Sequence, residues 1–88
     1  MRFGIFDHFE VRDEPVSERY ENRLKMIEAA DAAGFWCYHK AEHHFTVLDA
    51  APSANLLFAA AAQRTGTIRL GSLVYLLPLY DPLRLIEE

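Results

Sequence analysis

The chain has 88 residues, 51% of them hydrophobic and 25% charged, with a net charge of −4. This composition suits one small globular domain and excludes a disordered tail. The acidic balance has the wrong sign for general nucleic-acid binding, and the longest uncharged apolar run, Leu56–Ala62, is far short of the roughly 20 residues of a membrane span.

Met1–Phe6 carries Phe3, Ile5 and Phe6 and predicts a short strand. Residues 7–16 hold five charged side chains plus Pro15 and read as a solvated loop. Ser17 stands where a helix N-cap belongs, with Glu18 in the first turn facing the positive end of the helix dipole. Tyr20, Leu24, Ile27 and Ala30 recur at spacings of four and three and form one apolar stripe, with the Glu21/Lys25 pair on the opposite side. Gly34 is the expected left-handed residue that closes this helix.

Phe35–Lys40 predicts a second strand, followed by a loop over 41–52 that holds Glu42, His43, His44 and Phe45. A second helix follows Ser53 and runs to about Arg64, with Gly66 as its stop signal. Its middle, Leu56–Ala62, is apolar all round, which predicts burial on more than one side. Ile68–Leu77 predicts a third strand, covered on both faces. Asp81 and Pro82 then supply an N-cap and a first-turn proline, and residues 83–88 begin a third helix.

Strand and helix alternate with short connections, so the strands are expected to be parallel and joined by right-handed crossovers. The first strand is expected in the middle or beside the second. A closed (β/α)8 barrel takes about 250 residues. Residues 1–88, with their βαβαβ order and a third helix cut at Glu88, therefore read as the N-terminal part of a single α/β barrel domain.

In such a sheet the residues just after each strand gather on one face, where ligands bind. Asp7 and His8, then Glu42 to Phe45, then Leu77 to Tyr80 occupy those places. Imidazole exchanges protons near neutral pH, and a neighbouring carboxylate can fix its tautomer. Adjacent histidines in a loop also suit an exposed, idle pair, and Asp7 and His8 equally suit the start of the solvated loop. A metal site over Glu42, His43, His44 and His8 is a third reading, although adjacent residues rarely ligate one ion together. Cys37, alone in a strand, reads as core filler and forms no internal disulfide, so a reducing cytoplasm is the expected compartment. The N-terminus lacks the apolar core of a signal peptide, and no glycine-rich phosphate loop is present.

Four blocks in order resemble the start of the bacterial luciferase-like flavin-dependent monooxygenases: Gly34-Phe35, Ala41-Glu42-His43-His44-Phe45, Ile68-Arg69-Leu70-Gly71, and Leu77-Pro78-Leu79-Tyr80-Asp81-Pro82 running on to Glu88. The resemblance covers all 88 residues, including Phe3-Gly4-Ile5-Phe6. It implies a (β/α)8 TIM barrel that uses reduced flavin and O2 to oxidise a small organic substrate. The cofactor implied is reduced FMN, or a deazaflavin as in some branches, with a flavin reductase as a partner. The first histidine of the family's Glu-His-His block lies near the flavin and aids catalysis, which makes His43 the catalytic residue here. Glu42, His43, Leu73, Val74 and Tyr75 are the residues implied at the flavin ring, with a non-proline cis peptide near Leu73–Val74 and no metal.

The resemblance further implies a homo-oligomer, typically a dimer, through the second and third helices. The family's flavin-phosphate residues come from later strands. His39 and Lys40 depart from the apolar or aromatic residues that relatives usually carry in the second strand. Two other readings stand beside the monooxygenase: a non-catalytic flavin-binding relative, and a metal-dependent barrel hydrolase.

Overall fold

Three parallel strands form the sheet of the computed structural model, which describes residues 1–88. They are β1 (Gly4–Asp7), β2 (Cys37–Lys40) and β3 (Arg69–Ser72), in the order β1-β2-β3. β1 thus lies beside β2, and β2 takes the middle. Helices α1 (Val16–Ala32) and α2 (Ala54–Ala62) make the two crossovers, and α3 (Pro82–Glu87) follows a 3₁₀ turn at Leu77–Leu79. The alternation of elements and the parallel pairing are those expected from the sequence.

Register explains the core. Ile5, Tyr38 and Leu70 form one row across the sheet. That row packs with Leu24, Ile27 and Ala30 of α1 and with Ala54, Leu57, Phe58 and Ala61 of α2. The alternate rows, Gly4–Cys37–Arg69 and Phe6–His39–Gly71, project from the other face because successive strand side chains alternate. Gly4 is needed for close approach, since a Cβ there would collide with Cys37 Sγ. Buried Cys37 is the core filler expected of it.

Several local expectations are corrected. Ser17 does not cap α1; the helix begins at Val16 after Pro15, with no side-chain cap. Pro15 has a fixed φ of −56° and leads the chain into the helix without needing one. Ser53 flanks α2 without a capping bond, whereas Asp81 caps α3 by accepting from Leu83 N–H (2.9 Å) and Arg84 N–H (3.3 Å). Gly34 takes φ +80° after α1, as expected.

The loop over 7–16 is not simply solvated. Phe9 is fully buried at φ +62°, edge-on to Tyr20 and beneath the Arg23 guanidinium. It is tied to the 46–51 loop by Ala50 N–H to Phe9 O (2.9 Å) and Val11 N–H to Val47 O (2.7 Å).

α2 is buried on one side only: Leu57 and Phe58 are inside, while Leu56 is 69% exposed. A nine-residue helix lying on a three-stranded sheet has too few neighbours to cover its outer face. The third strand ends at Ser72 rather than Leu77. The Leu73–Val74 peptide is cis, as the resemblance implied, and Leu73, Val74 and Leu77 are exposed. Glu21 lies 3.7 Å from Lys25 as expected, but its carboxylate also accepts from both terminal nitrogens of the Arg64 guanidinium (2.7 and 3.1 Å), with Glu28 bonded to Arg64 as well (2.7 Å). These contacts join α1 to the end of α2.

Candidate active site

The C-terminal ends of the strands open into a groove of about 450 Å³. Its apolar walls are Phe6, Leu73, Val74, Leu76 and Leu79, and its polar edge is His8, Glu42, His43 and His44. Phe6 comes from β1 itself and the others from the segments that follow the three strands. The ladder extends past the strands through Ala41 N–H to Asp7 O (2.8 Å) and Leu73 N–H to Lys40 O (2.9 Å), which holds the three departing segments side by side.

His8 and His43 meet across the groove. Nδ1 of His8 lies 3.2 Å from Nε2 of His43, and the rings are nearly parallel (8°) with centroids 5.3 Å apart. One nitrogen carries the proton and the other accepts it, so the pair can hold or pass a proton at those atoms. Phe6 meets the His8 ring edge-on at 5.0 Å. The structure thus places His8 on the groove beside His43; Asp7 does not line it. Its carboxylate takes the Tyr38 hydroxyl, the Arg23 guanidinium (3.1 Å) and Phe9 N–H (3.2 Å), all of them framework contacts.

Glu42 is buried, and both its oxygens are occupied. Oε1 accepts from His44 Nε2 (2.7 Å) and Oε2 from Leu76 N–H (2.9 Å). Burial acts to raise its pKa, but the hydrogen bonds from His44, Leu76 N–H and Tyr80, with the charge of His44, hold it below the ordinary carboxylate range. The Tyr80 hydroxyl is pushed up to about 12 by burial and by the Glu42 carboxylate. Glu42 therefore braces the loop after β2 against the segment after β3. His43 and His44 go to different partners although both border the groove, because the backbone here is a bend and not a strand.

Leu73 and Val74 line the groove. Tyr75 does not: its hydroxyl bonds to Asn55 of α2, its ring meets Tyr80 at 5.4 Å, and it borders a separate hollow beside Phe58 and Leu70. His39 lies below the groove with Nδ1 3.3 Å from Gly71 O. No cluster of three or more His, Cys, Asp or Glu side chains is arranged to hold a metal ion; the four candidates split into the pairs His8/His43 and Glu42/His44.

One element of the site was not anticipated from the sequence. Lys40 and Asp49 are completely buried and paired at 2.5 Å. The signal was there in a lysine on a strand whose neighbours are core residues, since such a charge is almost never buried without a partner.

Residues 1–88 match the family of luciferase-like monooxygenases along their whole length. This chain is a member of the luciferase-like monooxygenase family. It is 48% identical over all 88 residues to an uncharacterised protein, y4wF, of Sinorhizobium fredii, covering 26% of that protein. To the oxygenase component of the flavin-dependent trigonelline monooxygenase of Acinetobacter baylyi it is 31% identical over 100% of its length and 25% of the relative's.

Among solved structures it superposes on the oxygenating constituent of 3,6-diketocamphane monooxygenase of Pseudomonas putida, solved with FMN. The TM-score is 0.86 at 27% identity, covering 97% of this chain and 24% of that one. Apo-MsnO8 gives a TM-score of 0.87 at 29% identity, covering 98% and 26%. This luciferase-like chain thus spans about a quarter of the length of the relatives it matches. Its parallel βαβαβ sheet is the fold of the luciferase-like barrel over that stretch.

Proposed function

We propose that the protein is a flavin-dependent monooxygenase in which this chain supplies the first three strands of the barrel and one wall of the flavin site. The observation that carries the reading is the His8/His43 pair at the edge of an apolar groove, at the C-terminal ends of parallel strands. A flat aromatic ring suits the apolar walls, with Leu73, Val74 and Phe6 against its face and His43 at its edge. The groove lining contains no lysine or arginine, so the ring fits the residues present and a phosphate finds no cation among them.

FMN is the cofactor we favour over a deazaflavin, following the diketocamphane relative. Reduced flavin, when bound, supplies the electrons for oxygen to insert one atom into a small organic substrate. His43 holds or releases the proton at Nε2, and His8 Nδ1 exchanges it. Glu42 fixes the loop from behind, and the apolar walls exclude water. A flavin reductase delivers the reduced cofactor, in keeping with a relative that is itself an oxygenase component. No helix is long and apolar enough to cross a membrane, and a reduced, buried Cys37 supports a cytoplasmic setting.

The test compares His43→Ala with His44→Ala. FMN binding is followed by fluorescence quenching and oxygen consumption is measured with reduced FMN. His43→Ala should lower oxygen consumption by about 10²–10⁴-fold with FMN affinity little changed. His44→Ala should act mainly through thermal stability, because it releases the Glu42 brace. Equal losses from both, or none from His43→Ala with FMN bound, overturn the assignment. Binding without oxygen consumption in the unsubstituted protein points instead to a non-catalytic relative.

A further inference from the structure

A lysine and an aspartate whose side chains have no solvent exposure are costly to bury, and an ion pair of this kind is by itself weak evidence of stabilisation. What the pair does beyond mutual compensation is set by its remaining hydrogen bonds. Lys40 Nζ donates to Ala41 O (2.8 Å) as well as to Asp49 Oδ2. The same Oδ2 accepts the backbone N–H of His43 (3.1 Å), while Oδ1 accepts Ala51 N–H (2.8 Å). The ion pair therefore grips the chain on both sides of Glu42, at the carbonyl before it and the amide after it. None of these bonds belongs to a helix or a strand ladder. Three of the bonded atoms lie in the segment that leads from β2 into the groove or in the loop that returns from it.

From this arrangement we infer that Lys40 and Asp49 are positioning residues for His43: a buried, charge-compensated clamp that fixes the backbone from which His43 reaches His8. The inference rests on the reading of His43 as the proton-handling group. The Asp49 carboxylate, paired with Lys40 Nζ, accepts both amides, and hydrogen bonds to a charged acceptor are stronger than those to a neutral one. Orientation of the imidazole then follows from the main chain, whereas His44 is held through its own ring by Glu42. A group displaced by about 1 Å from its working position loses on the order of 10²-fold in rate, so a rigid mount has a direct catalytic consequence.

Two measurements on the full chain test this. In the unsubstituted protein the His43 amide should be protected from hydrogen exchange at the level of the Ala41 and Leu73 amides; rapid exchange at His43 overturns the clamp. The double variant Lys40→Met/Asp49→Leu removes both charges and the acceptor; it should still fold, with a lower thermal midpoint because the amides of His43 and Ala51 lose their partner. The His43 ring resonances and their titration curve should shift, and oxygen consumption with reduced FMN should fall about 10- to 100-fold without loss of FMN binding. A folded double variant with unaltered His43 resonances overturns the inference. Should the double variant fail to fold, the exchange measurement decides. Shifted His43 resonances together with a kinetically silent His43→Ala would uphold the clamp and remove the catalytic reading of His43.

Discussion

Two residues show how tightly single side chains are specified. Gly4 faces Cys37 across the β1–β2 ladder, and an added methyl would meet both Sγ and, at 3.3 Å, the Cys37 carbonyl oxygen. Rotation of the thiol relieves the first contact but not the second. Gly4→Ala should therefore destabilise by about 1 kcal/mol or more in denaturant unfolding. In a Cys37→Ala background the loss should be smaller, and a strictly additive double-mutant cycle would contradict the contact. Gly4 and Cys37 lie in strands that the composition predicts, yet their pairing depends on register, which composition does not set. His8 is a similar case. Its place after a strand was legible, but its contact with His43, 35 residues away, was not.

At the scale of elements, the end of α1 is joined to the α2–β3 connection by one carboxylate. Asp31 accepts the N–H groups of Gly66 (2.6 Å), Thr67 (3.1 Å) and Ile68 (2.7 Å) and the Thr67 hydroxyl (2.7 Å). The Gly66 bond, the Thr67 hydroxyl and the other two amides hold its pKa down at about 2, against an ordinary 3.8. Because the folded value is the lower one, the contribution is complete above about pH 4 and is lost as the pH falls through about 2. Asp31→Ala should thus lower the urea midpoint at pH 7, and the gap from the unsubstituted protein should narrow as the pH approaches 2. A gap independent of pH would mean that the carboxylate charge is not what joins these elements. The helices and their order were legible from apolar spacing and punctuation, and Asp81 was legible as a cap because cap and helix are adjacent in sequence. Asp31 was not, since its partners are more than 30 residues distant.

At the scale of the whole molecule, α2 has an inner face that belongs to the core and an outer face that does not. Leu57→Ala should cost about 2–5 kcal/mol, because Leu57 is fully enclosed, whereas Leu56→Ala should change unfolding by less than about 0.5 kcal/mol. Asn55, next to Leu56 in sequence, donates to Glu88 at the end of α3 (2.6 Å), and Leu83 and Ile86 of α3 are also exposed. Covering each such side chain is worth roughly 1.5–3 kcal/mol, so we expect the chain to associate through this face. Leu56→Glu/Ile86→Glu should shift sedimentation toward smaller species; an unchanged distribution would place any association elsewhere. Read from the sequence alone, local chemistry was decisive: apolar spacing gave two helices and composition three strands, Gly34 marked the end of the first helix and Asp81 the start of the third, and four ordered blocks, Glu42-His43-His44 among them, gave the family resemblance. Tertiary structure decided what depends on distant neighbours: that the third strand ends at Ser72, that Phe9 is core, that Tyr75 faces α2, and that Lys40 is buried on Asp49. A residue's periodicity and turn chemistry are fixed by adjacent positions, whereas the partner that satisfies a buried charge, or covers a ring, is chosen only when segments far apart in the chain are packed together.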